Sequence, residues 1–99
     1  MDTQAYSPES LTREELLAMD EMARSRQVQA YLEAQITRVL RCSLSDTDFH
    51  RPLIYLGMNS FMSGELSYLI ESDLGVDIPL VDFFDNVRAL FFRCRKLLA

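Results

Sequence analysis

The sequence predicts an all-α fold, an antiparallel bundle of three main helices plus a short third helix, and three observations lead there. Apolar residues recur at three- and four-residue steps in three separate stretches, 28–40, 62–70 and 87–98, the spacing that gathers side chains on one helix face. Glycine, proline and short polar residues fall between those stretches, at 43–48, Gly75 and Pro79, where they interrupt helix. Ninety-nine residues, 48% of them hydrophobic and 25% charged, make one globular domain with a single core rather than two domains or a disordered chain.

In chain order, residues 1–11 hold Pro8 and two serines without an apolar period, and read as a flexible tail or linker. The domain is expected over 12–99, with its core at about 26–98. Thr12-Arg13-Glu14-Glu15 has the form of a capping box, and Leu16, Leu17 and Met19 give an extra short N-terminal helix something to bury. Val28, Leu32, Ile36, Val39 and Leu40 mark the first main helix, of about four turns. Whether the two helices join is left open by the sequence.

Helical periodicity stops from Cys42 to Met58. Ser43, Ser45, Asp46, Thr47 and Asp48 are turn formers, and Pro52 disfavours helix at Arg51. So long a loop in a small domain needs anchors. Leu44, Phe49, Leu53, Ile54 and Leu56 supply them. After the central helix, Gly75 reads as a left-handed C-terminal cap and Pro79 as the first residue of the short third helix. Val87, Leu90, Phe91, Cys94, Leu97 and Leu98 define the last helix.

The central helix carries the functional expectation. Met62, Leu66, Leu69 and Ile70 form its core face, and the opposite side collects Ser60, Gly64, Ser67 and Glu71, so Ser60 begins a polar, solvent-facing stripe. Gly57 closes the preceding loop, and Asn59 is a strong N-cap whose side-chain oxygen accepts from a first-turn N–H. A helix N-terminus favours anions, so a phosphate ester on Ser60 would sit in a favourable field. The plain alternative is an ordinary first-turn serine.

Leu56-Gly57-Met58-Asn59-Ser60-Phe61-Met62, followed by Glu65-Leu66, resembles the Leu-Gly-x-Asp-Ser-Leu-Met…Glu-Leu signature of acyl carrier domains of polyketide synthases. The similarity extends through Arg51-Pro52-Leu53, Leu74-Gly75-Val76 and Ile78-Pro79 and covers roughly residues 26 to 98. Peptidyl carrier domains usually show Gly-Gly-x-Ser here, so the acyl class fits better. The resemblance implies a four-helix carrier bundle in which Ser60 receives 4′-phosphopantetheine from coenzyme A, with Asn59 and Gly57 shaping the attachment loop. A phosphopantetheinyl transferase, usually with Mg²⁺ that the transferase holds, would attach the arm. Acyl groups then travel as thioesters to ketosynthase, acyltransferase and tailoring enzymes.

Departures from the family pattern carry their own expectations. Such domains often have a proline near Met19-Asp20, which is absent here. Between Phe84 and Val87 they usually insert Pro-Ser or Pro-Thr, whereas this chain has Asp85-Asn86, so the third and fourth helices are expected to meet at a shorter joint or partly fuse.

Partner contacts are expected at Met58, Phe61, Glu65, Tyr68 and Glu71. Phe61 and Tyr68 lie between the core and polar faces, with acids beside them, and form an apolar spot of the kind partners use. Packing of both rings into the bundle edge is the alternative.

The net charge is −5. From Cys42 to Asn86 eight acids face the single Arg51, whereas residues 87–99 hold Arg88, Arg93, Arg95 and Lys96 and no acid. The acidic part surrounds Ser60, which disfavours nucleic acid and anionic lipid and steers basic protein surfaces towards it.

No apolar run reaches the roughly 18 residues a spanning helix needs, and no export signal is visible, so a soluble, cytoplasmic monomer is expected. Cys42 and Cys94 have no redox or zinc spacing, and His50 stands alone in a loop. Ser60 lacks a G-x-S-x-G context, so catalysis by the chain itself is not expected. The competing reading outside the carrier class is a helical adaptor that keeps the bundle without the arm.

Overall fold

The computed structural model describes residues 12–98, without the side chains of Asp46 and Thr47. The proposed tail at 1–11 lies outside the described residues. Four α-helices follow in order: α1 (Arg13–Leu17), α2 (Glu21–Leu40), α3 (Ser60–Leu74) and α4 (Val87–Leu98). Three 3₁₀ turns punctuate them, at Asp46–His50, Leu53–Leu56 and Leu80–Phe84. The described residues contain no strand. The all-α bundle is therefore as the sequence predicts.

The capping box of α1 is complete: Glu15 N–H donates to Thr12 Oγ1 at 3.2 Å, and Thr12 N–H donates to the Glu15 carboxylate at 2.9 Å. Leu16 is fully buried, so this short helix belongs to the folded unit. Arg13 reaches across to donate to the carbonyls of Leu74 and Gly75 at 3.1 and 3.3 Å. It places a cation on the last carbonyls of α3, where the helix has no partners of its own.

α1 and α2 are separate helices. Asp20, rather than a proline, makes the break, with extended backbone and a carboxylate that accepts from Ala23 N–H at 2.8 Å. α2 runs for 20 residues, longer than the four turns that its apolar period suggests. Its first turns are held by the cap and by Arg24, which donates to the carbonyls of Leu16 and Met19, both at 3.1 Å.

Val28, Tyr31, Leu32, Ile36 and Val39 face the core. Tyr31 is fully buried, and its hydroxyl donates to Asp73 Oδ2 at 2.7 Å, with the Leu69 carbonyl at 3.2 Å. Burial and then the Asp73 carboxylate push the phenol well above its ordinary range. The middle of α2 thus meets late α3, while Arg38 and Arg41 at the end of α2 lie beside Phe61 and Glu65 at the start of α3, so the two helices run antiparallel. Glu21 pairs with Arg95 at 3.8 Å, which sets α4 antiparallel to α2 as well.

The expected core face of α3 is rotated. Leu66, Ile70 and Leu74 are buried with Ser63, whereas Met62 and Leu69 are half-buried. The cause is the segment after Gly75, whose Val76 and Ile78 are buried and whose Ile78 carbonyl accepts from Ser67 Oγ at 3.3 Å. Packing on that side draws the serine edge of α3 inward. Ser67 is accordingly not part of a free polar stripe.

Gly75 caps α3 in the left-handed conformation, φ 67°. Pro79 stands one position before the third 3₁₀ turn rather than inside it, with φ −59° and ψ 144°. That turn does not fuse with α4. Asp85 is extended, and Asn86 Oδ1 accepts from Ala89 N–H at 2.9 Å, so an asparagine cap takes the place of the missing proline turn. Asn86 also donates to the His50 carbonyl at 3.4 Å, and Leu53 N–H to the Asp85 carbonyl at 3.1 Å, which ties down the long first loop. In α4, Val87, Leu90, Cys94 and Leu98 are buried, but Leu97 is exposed, a correction to the predicted face.

Candidate functional site

The stretch around Ser60 is built from local hydrogen bonds. The second 3₁₀ turn ends at Gly57, whose φ of 104° takes the left-handed region that side-chain-bearing residues avoid. Met58 N–H then donates to the Leu53 carbonyl at 3.1 Å, turning the chain towards α3. Asn59 caps α3: its side chain accepts from Met62 N–H and its carbonyl from Ser63 N–H, both at 2.9 Å. Ser60 follows as the first helical residue and is exposed.

The geometry sorts the expected partner residues. Phe61 is 81% exposed and Tyr68 is 69% exposed, and with Glu65 they lie at i, i+4 and i+7 along one face of α3. Neither ring folds into the bundle edge. Glu71 is exposed one face round, in line with Ser60 and Gly64. Met58 is the exception: at 6% exposure its side chain belongs to the core, because the turn at Gly57 directs it inward beneath α3. It is removed from the contact surface.

The acidic field is less uniform than chain order suggests. Asp73 accepts from Tyr31, Asp48 lies 3.6 Å from Arg51, and Asp82 lies 3.5 Å from Arg93. The Asp48 carboxyl is held below its ordinary value by hydrogen bonds from Ser45 first and by Arg51 after them. The fold also brings in cations from outside that window. Arg38 and Arg41, at the end of α2, share a groove of about 370 Å³ with Phe61, Met62, Glu65 and Leu69. Spacing along the chain carries no signal of that encounter.

A second groove of about 440 Å³ lies at the opposite end of the bundle, between Glu21, Arg24, Phe92 and Arg95. It is remote from Ser60, which sits at the other end of α2. Among the described residues no cluster of His, Cys, Asp and Glu suits a metal ion. Cys42 is free and exposed; Cys94 is free and buried, and burial pushes its thiol up to about 12. No helix is long and apolar enough, among the described residues, to cross a membrane.

The fold and site define a small helical bundle that presents an exposed serine at the start of its central helix. The family described as phosphopantetheine attachment site matches residues 30–90, more than half of the chain, and the chain belongs to that family. Over 79 residues it is 38% identical to the highly reducing polyketide synthase Preu1 of Preussia isomera, covering 75% of this chain and 3% of that protein. The chain therefore spans a small part of that relative's length. No solved structure matches.

Members of the family are carriers rather than enzymes, with a covalently attached 4′-phosphopantetheine arm. The residues present fit such a group. Ser60 is exposed, and apart from the adjoining chain nothing lies within 4 Å of a Cβ built on Gly57 or Gly64, so the space over both glycines is open. The first-turn N–H groups of Ser60 and Phe61 have no intrahelical acceptor and stand ready for an anion.

Proposed function

We propose that residues 12–99 form an acyl carrier domain whose Ser60 bears the arm and which presents acyl intermediates of polyketide assembly to partner enzymes. The observation that carries this reading is the exposed Ser60 at the first position of α3, inside the Leu56-to-Met62 motif. When bound, the arm supplies a terminal thiol that holds acyl groups as thioesters. The chain's own residues do the rest. Ser60 offers the hydroxyl oxygen for the ester bond, Asn59 fixes the helix start, Gly57 shapes the loop, and the α3 N-terminus stabilises the phosphate charge. Tethering raises the effective concentration of the acyl group at each partner site.

The partners under this reading are a phosphopantetheinyl transferase and the ketosynthase, acyltransferase and tailoring domains of a synthase. The exposed Phe61, Glu65 and Tyr68, with Glu71 beside them, form the docking surface. Incubation with a broad-specificity transferase and coenzyme A, followed by intact-mass measurement, tests attachment. One phosphopantetheine is expected per chain, and none on Ser60→Ala. An unmodified wild-type chain would instead favour a helical adaptor. Docking is tested on arm-bearing Tyr68→Ala and Glu65→Arg, which should pass acyl groups more slowly to a cognate partner whose docking face is basic; unchanged transfer refutes that surface.

A further inference from the structure

The groove between the end of α2 and the start of α3 contains an outlier. Arg41 is the one residue other than glycine with positive φ among the described residues, at 58°. It caps α2 where glycine is the usual choice. A side chain held in that conformation costs stability, and such positions cluster at functional sites. Its guanidinium is exposed and has no hydrogen bond or ion pair among the described residues. Arg38 beside it is anchored by a 2.6 Å bond to the buried Gln35. Opposite stand the exposed ring of Phe61, the half-buried Met62 and Glu65.

Two cations and one anion thus flank an apolar floor, next to an arm-bearing face that is otherwise acidic. We infer that this groove is a partner-selecting surface, which takes an acidic face of a synthase domain by pairing a carboxylate with Arg41 and an apolar side chain with Phe61 and Met62. This rests on the carrier reading for its biological setting, though not for its chemistry. Charge complementarity chooses the occupant: a basic partner drawn to Glu65 and Glu71 meets Arg38 and Arg41 if it slides towards α2, whereas an acidic-apolar one is paired there. An arginine and an aromatic ring are also the side chains that most often dominate interface energetics.

The test is a titration of the nitrogen-15-labelled full chain with a blocked pentapeptide of alternating leucine and aspartate. The same peptide with lysine for aspartate serves as control. Saturable shifts of the Arg41, Phe61 and Glu65 amides are expected with the aspartate peptide, up to about fivefold tighter than with lysine, the upper range for an exposed ion pair.

Arg41→Gly and Arg41→Gln should each weaken the aspartate peptide about fivefold. Arg41→Gly should leave the unfolding midpoint unchanged or higher, because glycine takes this conformation freely. Equal or tighter binding of the lysine peptide, no saturable shift with either peptide, or undiminished binding by either variant overturns the inference. A lowered midpoint in Arg41→Gly assigns the arginine to the fold instead and does the same. Arm attachment is measured separately by mass. A chain that takes the arm but shows no groove shifts refutes the groove alone, and one that takes no arm refutes the carrier reading alone.

Discussion

Tyr31→Phe removes one oxygen from a place where a buried phenol joins α2 to α3. In the native chain the ring is fully buried and its hydroxyl donates to Asp73 Oδ2 at 2.7 Å. Phenylalanine preserves the packing, so the transfer term is small, and the loss is that of a hydrogen bond to a charged acceptor. Such bonds contribute about 1.5–3 kcal/mol, and the half-buried Asp73 is left without this donor. Partial hydration of Asp73 places the expected loss in the lower half, about 1.5–2 kcal/mol.

For a domain of this size, about 1 kcal/mol moves the thermal midpoint by roughly 4–8 °C, so a fall of about 6–16 °C is expected. Urea unfolding should show a lower midpoint with an unchanged slope, because the surface exposed on unfolding stays the same. Asp73→Asn, which keeps an acceptor but not the charge, should cost less than Tyr31→Phe. A loss below about 0.5 kcal/mol, the range of benign surface changes, would refute the idea that this bond clamps the helices.

Two further predictions concern charge. Asn59→Asp keeps the cap, so unfolding should shift by no more than about 0.5 kcal/mol; the added carboxylate beside Ser60 should speed arm attachment up to roughly fivefold at low salt through an exposed pair with the transferase, and less at high salt. Equal rates at low salt would show that Asn59 serves as well as Asp. Alkaline stability follows from Cys94 and Tyr31, both raised in the folded chain. Their stabilising share is complete below the unfolded values of 9.0 and 10.0 and is lost as pH rises through and above them. The wild type should therefore lose more stability than Tyr31→Phe between about pH 10 and 11, as read by urea midpoints; parallel losses would contradict it.

The parts of the fold legible in the sequence are those fixed by nearby residues. The Thr12–Glu15 box, the Asn59 cap and the left-handed Gly75 are each written within a few positions, and the structure has all three. Asp20 and Asn86 are caps of the same kind, standing where the family pattern has prolines. Misreadings came where distant segments decide burial. Met58 points inward because Gly57 turns the chain, Ser67 is engaged by the Ile78 carbonyl, and Leu97 lies outside the sector that α4 presents to the core. The Arg38–Arg41 wall beside Phe61 was illegible for the same reason, since only the antiparallel packing of α2 on α3 brings those residues together.

The central claim is that Ser60, and no other residue, bears the arm. α3 holds three further serines, Ser63, Ser67 and Ser72, but Ser63 is 3% exposed and Ser67 donates to a backbone carbonyl. Proteolysis of the transferase-treated chain and fragment-ion sequencing of the peptide spanning α3 locates the added mass directly. The account predicts one phosphopantetheine, on Ser60; the same mass on Ser63, Ser67 or Ser72, or on a peptide outside α3, would contradict it.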